Sequence, residues 1–149
     1  MKKLLILAAL LVAPAAVAQT QSVQKVFQDF GLIGIWANTC DQPANLDLGN
    51  SRAIYALSKT DGVILTYENG PKYKPSVYSI LTARRTGKDT LTYVQERLAD
   101  QTRVTITLKK TPTGVSIWSS VLESGQVLVR DGRYTGTGRE NPLQVRCGA

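Results

Sequence analysis

The sequence predicts an all-β protein, an eight-stranded antiparallel up-and-down barrel preceded by one short helix. Three observations predict it: strand-length runs divided by Gly, Pro, Asn and Asp, alternation of polar and apolar residues within the runs, and connections short enough for hairpins. Closing the sheet into a barrel removes the exposed strand edges of such a meander. The alternative is a β-sandwich, although a Greek-key sandwich needs long crossovers and residues 41–50 form the only long connection.

The N-terminal residues have the three parts of a bacterial secretory signal peptide. Met1-Lys2-Lys3 is a short positive start, residues 4–13 are apolar, and Ala16-Val17-Ala18 is a small-x-small cleavage signature. We expect cleavage after Ala18, a mature domain at residues 19–149, no transmembrane segment after cleavage, and a periplasmic or secreted protein. Loss of Lys2 and Lys3 lowers the net charge from +7 to +5.

The first predicted element of the mature chain is a helix at residues 22–32. Ser22 is a suitable N-cap and Gly31 a suitable stop, and four apolar residues between them recur at helical spacing. These four residues are Val23, Val26, Phe27 and Phe30.

Eight strands follow this helix. Residues 103–109 alternate polar and apolar without a break, which is typical of a strand with one wet and one buried face. The same alternation places Ile117 and Ser119 on one face of their strand, and Trp118 and Ser120 on the other. The predicted strands are residues 34–39, 51–58, 63–68, 72–85, 90–98, 102–110, 115–122 and 126–134.

Cys40 and Cys147 are the only cysteines of the chain. In an oxidising compartment an intramolecular disulfide is the default, and it would join the start of the domain to its end. Two free reactive thiols are the alternative.

Composition excludes several classes of catalytic site. The chain has no histidine, which excludes Ser-His and Cys-His nucleophile pairs and every histidine-ligated metal site. Two cysteines are too few for a four-cysteine zinc or iron–sulfur site. We therefore expect a protein that is not an enzyme and that carries no metal or cofactor.

The segment Gly34-Ile35-Trp36 resembles the Gly-x-Trp opening of lipocalin-like barrels, which small secreted metalloprotease inhibitors and avidin-like proteins share. The chain also resembles small exported bacterial proteins that start Gly-x-Trp-Ala-x-x-Cys and end in a basic residue and Cys, here Arg146-Cys147. The resemblance implies that Gly34 and Trp36 are structural and that Trp36 packs at the closed end of the barrel. It also implies an arginine of the last strand over Trp36, for which Arg130 and Arg133 are the candidates.

Aromatic residues are the candidates for ligand binding. Trp36 and Trp118 are predicted to wall a pocket together with Tyr55, Tyr93 and other tyrosines, and the alternative is that they fill the barrel. Small basic clusters at strand ends are predicted to be solvated faces, so no nucleic acid partner is expected. They comprise Arg84, Arg85, Lys88, Lys109, Lys110, Lys72 and Lys74.

These observations predict a periplasmic, non-enzymatic barrel that binds a small apolar ligand or an envelope protein. The alternative is a protease-inhibitor-like or other protein-interaction module that uses its outer surface, its loops or residues 19–27. An open cavity near or above ~300 Å³ in the barrel interior would favour the ligand, and a packed interior would favour surface contacts.

Overall fold

A computed structural model describes residues 21–148, so the predicted signal peptide lies outside the described residues. About 53% of the described residues are in strands and 9% are in helices, which confirms the all-β class. One antiparallel sheet of ten strands curls into a half-barrel around a short helix. Because the described strands share one sheet, the alternative of a two-sheet sandwich does not describe this chain. No helix within residues 21–148 is long and apolar enough to cross a membrane.

The helix, α1, runs from Val23 to Phe30 and confirms the predicted element. The Ser22 hydroxyl accepts a hydrogen bond from the backbone N–H of Lys25, which satisfies a donor of the first turn. Gly31 ends the helix with φ +74°, a left-handed conformation that glycine adopts without a steric penalty. The face that α1 turns to the sheet is buried and consists of Val26, Phe27 and Phe30.

Nine strands follow chain order across the sheet, and the tenth returns to pair with the first. A single 3₁₀ turn, Leu46–Leu48, lies in the long loop between the first two strands. The strands are β1 (Gly34–Ala37), β2 (Arg52–Leu57), β3 (Val63–Glu68), β4 (Ser76–Gly87), β5 (Thr90–Arg97), β6 (Arg103–Thr111), β7 (Gly114–Leu122), β8 (Val127–Arg130), β9 (Arg133–Tyr134) and β10 (Val145–Gly148).

The prediction of eight strands is wrong at the C-terminal end of the sheet. Asp131 and Gly132 have φ values of +50° and +74°, so they form a turn that divides the predicted strand 126–134 into β8 and β9. Strand β10 was not predicted because it is short and follows a stretch of Gly, Pro and polar residues without alternation.

A bulge in β7 overturns the predicted faces of that strand. Leu108 of β6 lies opposite Ile117, and the preceding residue of β6 lies opposite Ser119, which leaves Trp118 without a register partner on β6. The extra residue reverses the alternation beyond it. Ser120 is therefore buried opposite Ile106, whereas Trp118 lies on the outer face.

The concave face of the sheet is filled around the helix. The Phe27 ring lies 5.7 Å from that of Tyr55 and 5.3 Å from that of Tyr93, and the two tyrosine hydroxyls are 3.1 Å apart. Gln24 Nε2 donates to Ser58 O of the β2–β3 turn. We call α1 and the β2–β3, β4–β5 and β6–β7 turns the helix-capped end.

The predicted disulfide is confirmed. Cys40 and Cys147 are bonded, with their Cα atoms 5.2 Å apart, and no free cysteine lies in the described part of the chain. Cys147 belongs to β10, and Cys40 follows β1 in the long loop. The bond therefore reinforces the pairing of the last strand with the first.

Replacing Phe27 by alanine should destabilise the protein by about 3–5 kcal/mol, because it leaves a cavity between two tyrosine rings. Urea unfolding followed by circular dichroism measures this free energy. Leu48→Ala is the control, since Leu48 is 74% exposed and its truncation should change stability by less than about 0.5 kcal/mol. Similar losses in the two variants would contradict the central role of Phe27.

The double substitution Cys40→Ala with Cys147→Ala should lower the free energy of unfolding by about 2–5 kcal/mol, because the cross-link restricts the unfolded chain. Urea unfolding of the variant and of oxidised and reduced wild type measures the effect. The variant should resemble the reduced wild type. An unfolding midpoint equal to that of the oxidised wild type would show that the disulfide contributes nothing to stability.

Candidate functional site

A cleft of about 910 Å³, which we call the seam cleft, opens between an early part of the chain and a late part. One wall comes from the β1–β2 loop and β3, and the other from β7, β8, β9 and residues 135–144. Its apolar lining consists of Leu46, Tyr67, Ile117, Leu128, Tyr134 and Pro142.

Residues 135–144 form a wall that is fixed to β7 by hydrogen bonds. The backbone N–H and C=O of Gln144 pair with those of Val115 at 2.8 and 2.9 Å. Asn141 accepts from the N–H of Ile117 at 3.1 Å and donates to the Tyr134 hydroxyl at 2.8 Å. This side of the cleft is therefore held by backbone and side-chain contacts, although it contains little regular structure.

Three apolar side chains remain accessible within the cleft. Leu46 is 46% exposed, Tyr134 is 40% exposed and Leu128 is 37% exposed. Polar groups lie beside them, including the side chains of Gln126 and Arg139. The cleft thus combines uncovered apolar surface with a few hydrogen-bonding groups, which is the composition of a small-molecule site.

Tyr67 connects the cleft with the filled interior. Its ring packs edge-to-face on that of Tyr78, with the ring centroids 5.7 Å apart. Burial, reinforced by neighbouring tyrosines, holds the pKa values of Tyr67, Tyr55 and Tyr93 well above the usual tyrosine value. These hydroxyls therefore stay neutral at physiological pH and offer donors and acceptors without charge.

The predicted ligand-binding residues do not line the seam cleft. Trp36 is 5% exposed and its Nε1 donates to Leu32 O at 2.8 Å, and it shares the core with Tyr55 and Tyr93. Trp118 lies on the outer face, where the Lys109 ammonium is 3.2 Å from its ring centroid. The structure brings three of the four candidates into the packed core and separates the fourth from them.

The predicted structural residues have different outcomes. Gly34 begins β1 with φ +133°, a conformation that other residues rarely adopt. Arg133 does not cover Trp36 but is exposed, with its guanidinium donating to Glu140 at 2.6 Å. The residue opposite Trp36 is Arg146, because β10 and not the predicted last strand pairs with β1. The Arg146 guanidinium donates to Ile33 O at 2.9 Å.

The carboxylates do not converge in the cleft. Glu140 is the only carboxylate among the residues that line it, and it is paired with Arg133. Glu96 and Glu123 both face Arg103, at 2.7 and 3.7 Å. Within residues 21–148, no three carboxylates or thiols are grouped as metal ligands would be.

Alkaline titration should show that Tyr55, Tyr67 and Tyr93 do not ionise while the protein is folded. Below about pH 10, the pKa of tyrosine in the unfolded chain, the raised pKa values of these tyrosines do not change the free energy of unfolding. Above about pH 10 the free energy of unfolding falls, because these tyrosines ionise only in the unfolded chain. Absorbance at the phenolate band and circular dichroism should therefore change together for these residues. Tyr55→Phe should reduce the late absorbance step by one tyrosine. Ionisation of all tyrosines before any unfolding would contradict the prediction.

No family model, curated protein or solved structure matches this chain. A function must therefore be inferred from the residues themselves. The described residues form a half-open cleft that contains accessible apolar groups. One wall of this cleft is hydrogen-bonded to β7, and the interior of the half-barrel beneath the cleft is packed.

Proposed function

We propose that the protein is a non-enzymatic binding protein that holds a small, largely apolar ligand in the seam cleft. The observation that carries this proposal is the gathering of three exposed apolar side chains, Leu46, Leu128 and Tyr134, within one concave space. The volume of about 910 Å³ lies within the usual range for small-molecule sites, roughly 300–1,000 Å³.

Binding would be driven by removal of this apolar surface from water, at roughly 25 cal/mol for each Å² covered. Arg139 lines the cleft and forms no ion pair within residues 21–148, so its guanidinium is available to orient an acceptor group of the ligand. A compact ligand with an apolar body and one oxygen acceptor fits this lining.

The barrel interior offers less support for a ligand than the seam. Phe27, Leu65 and Leu91 are fully buried there and occupy the space between the helix and the sheet. We therefore assign the binding site to the seam cleft and not to the filled interior beneath the helix.

The burial of part of residues 19–27 argues against the inhibitor-like alternative in which this segment enters a partner's cleft. Val26 and Phe27 are buried against the sheet, and Gln24 is bound to Ser58 O. A partner cleft cannot receive these residues unless the helix leaves the sheet.

The disulfide supports the periplasmic or secreted location that we propose, because such bonds persist in oxidising compartments.

The test uses anilinonaphthalene sulfonate, a fluorescent dye with an apolar body and an anionic group. Wild-type protein should bind one dye, and Leu128→Ser should weaken binding by roughly tenfold because apolar contact is lost. Fluorescence titration measures the affinity, and circular dichroism verifies that each variant is folded.

Leu98→Ser is the matched control, because Leu98 is 55% exposed in the β5–β6 turn and does not line the cleft. It should leave dye affinity unchanged. Arg139→Gln should weaken the dye and spare an uncharged naphthalene analogue. Equal effects of the two leucine variants, or no dye binding at all, would overturn the proposal.

A further inference from the structure

We propose that the helix-capped end is a docking surface for an anionic lipid bilayer. The proposal does not depend on the seam cleft. It rests on five cationic side chains of the adjacent β4–β5 and β6–β7 hairpins, which we call the basic rim. The basic rim consists of Arg84, Arg85, Lys88, Lys109 and Lys110.

The fold brings the two hairpins side by side. Leu91 of β5 lies opposite Leu108 of β6, and the backbone N–H of Lys110 donates to Asp89 O at 2.8 Å. The cations of Arg85 and Lys110 both face the Phe30 ring, at 5.9 and 5.6 Å from its centroid. Arg85 and Lys110 therefore lie beside the C-terminal end of α1, where the Lys110 ammonium also donates to Phe30 O at 3.2 Å. The Lys109 ammonium lies instead over the Trp118 ring.

The basic rim is not neutralised by the rest of the described chain. None of its five cations forms an ion pair within residues 21–148, and Asp89 is the only acidic residue in the two hairpin tips. Outside the helix-capped end and the basic rim, the described chain has nine cations and eight carboxylates, so its charge is nearly balanced. Positive charge is therefore concentrated at the helix-capped end.

An exposed apolar residue lies at the same end and favours a bilayer over a nucleic acid as the anionic partner. Leu57 is 45% exposed at the end of β2, directly before Ser58, whose carbonyl binds the helix. Lysine and arginine side chains reach lipid phosphates, while Leu57, on the neighbouring β2–β3 hairpin, enters the interfacial layer. A nucleic acid backbone would attract the cations but would gain nothing from Leu57.

The experiment measures co-sedimentation of the protein with vesicles of phosphatidylcholine containing about one-third phosphatidylglycerol. Arg84→Gln with Lys88→Gln removes two exposed cations for which the structure shows no side-chain contacts. We expect affinity to fall by about tenfold or more, because each basic residue near an anionic surface contributes to binding. Binding should also weaken as salt is raised and vanish on pure phosphatidylcholine.

Lys72→Gln with Lys74→Gln is the matched control, since it removes the same charge from the β3–β4 loop at the opposite end. Its affinity should stay within about twofold of wild type. Leu57→Ser should weaken vesicle binding without changing affinity for a single-stranded oligonucleotide. Dye binding in the seam cleft should be unchanged in all these variants, which separates this proposal from the previous one.

Three outcomes would overturn the proposal. The first is equal loss in the two double variants, which would mean that only net charge matters. The second is no binding to anionic vesicles. The third combines two results: oligonucleotide binding is lost when Arg84 and Lys88 are replaced, and vesicle binding is unchanged by Leu57→Ser. This third outcome would assign the rim to nucleic acid.

Discussion

Phe27 places its ring between Tyr55 and Tyr93, and this contact joins α1 to two strands that are not neighbours in the sheet. A single curled sheet has one concave face to cover, and here an eight-residue helix covers it with three buried side chains. The buried tyrosine hydroxyls satisfy each other at 3.1 Å, so the aromatic cluster leaves neither of them without a hydrogen bond. The cluster fills the interior beneath the helix, and the accessible cleft lies elsewhere.

That place is determined by the return of the chain after β9. Residues 135–144 cross from one end of the sheet to the other, pair with β7 through Gln144, and lead into β10. The disulfide from Cys147 to Cys40 then fixes β10 against β1. The pairing of Gln144 with Val115, which ties the segment before β10 to β7, thus also holds one wall of the seam cleft. For this reason, a change that weakens this pairing should alter both the stability of the protein and the shape of the cleft.

Local patterns in the sequence predicted most of the fold and little of the cleft. The helix, the first seven strands and the disulfide follow from caps, alternation and cysteine count, which are properties of short segments. The bulge at Trp118 and the turn at Asp131 depend on register with a neighbouring strand, which periodicity does not contain. Leu128 and Tyr134 line the cleft only because of that turn and of the irregular segment that follows it. The sequence predicts aromatic residues at a ligand site, yet Tyr55 and Tyr93 are packed in the core.

The distribution of charge follows from the same topology. A cation within a strand has cross-strand neighbours, and Arg103 meets Glu96 directly opposite on β5. Arg84 and Arg85 lie opposite the uncharged Thr92 and Leu91 of β5, and Lys88 lies in the β4–β5 turn, so their charges stay unpaired. These cations lie at the helix-capped end, whereas the cleft takes lining from Leu46 and Gln126 in loops of the opposite end. A molecule held to a surface by its basic rim would therefore keep the mouth of the seam cleft open to solvent, and the two proposed binding events would not obstruct each other.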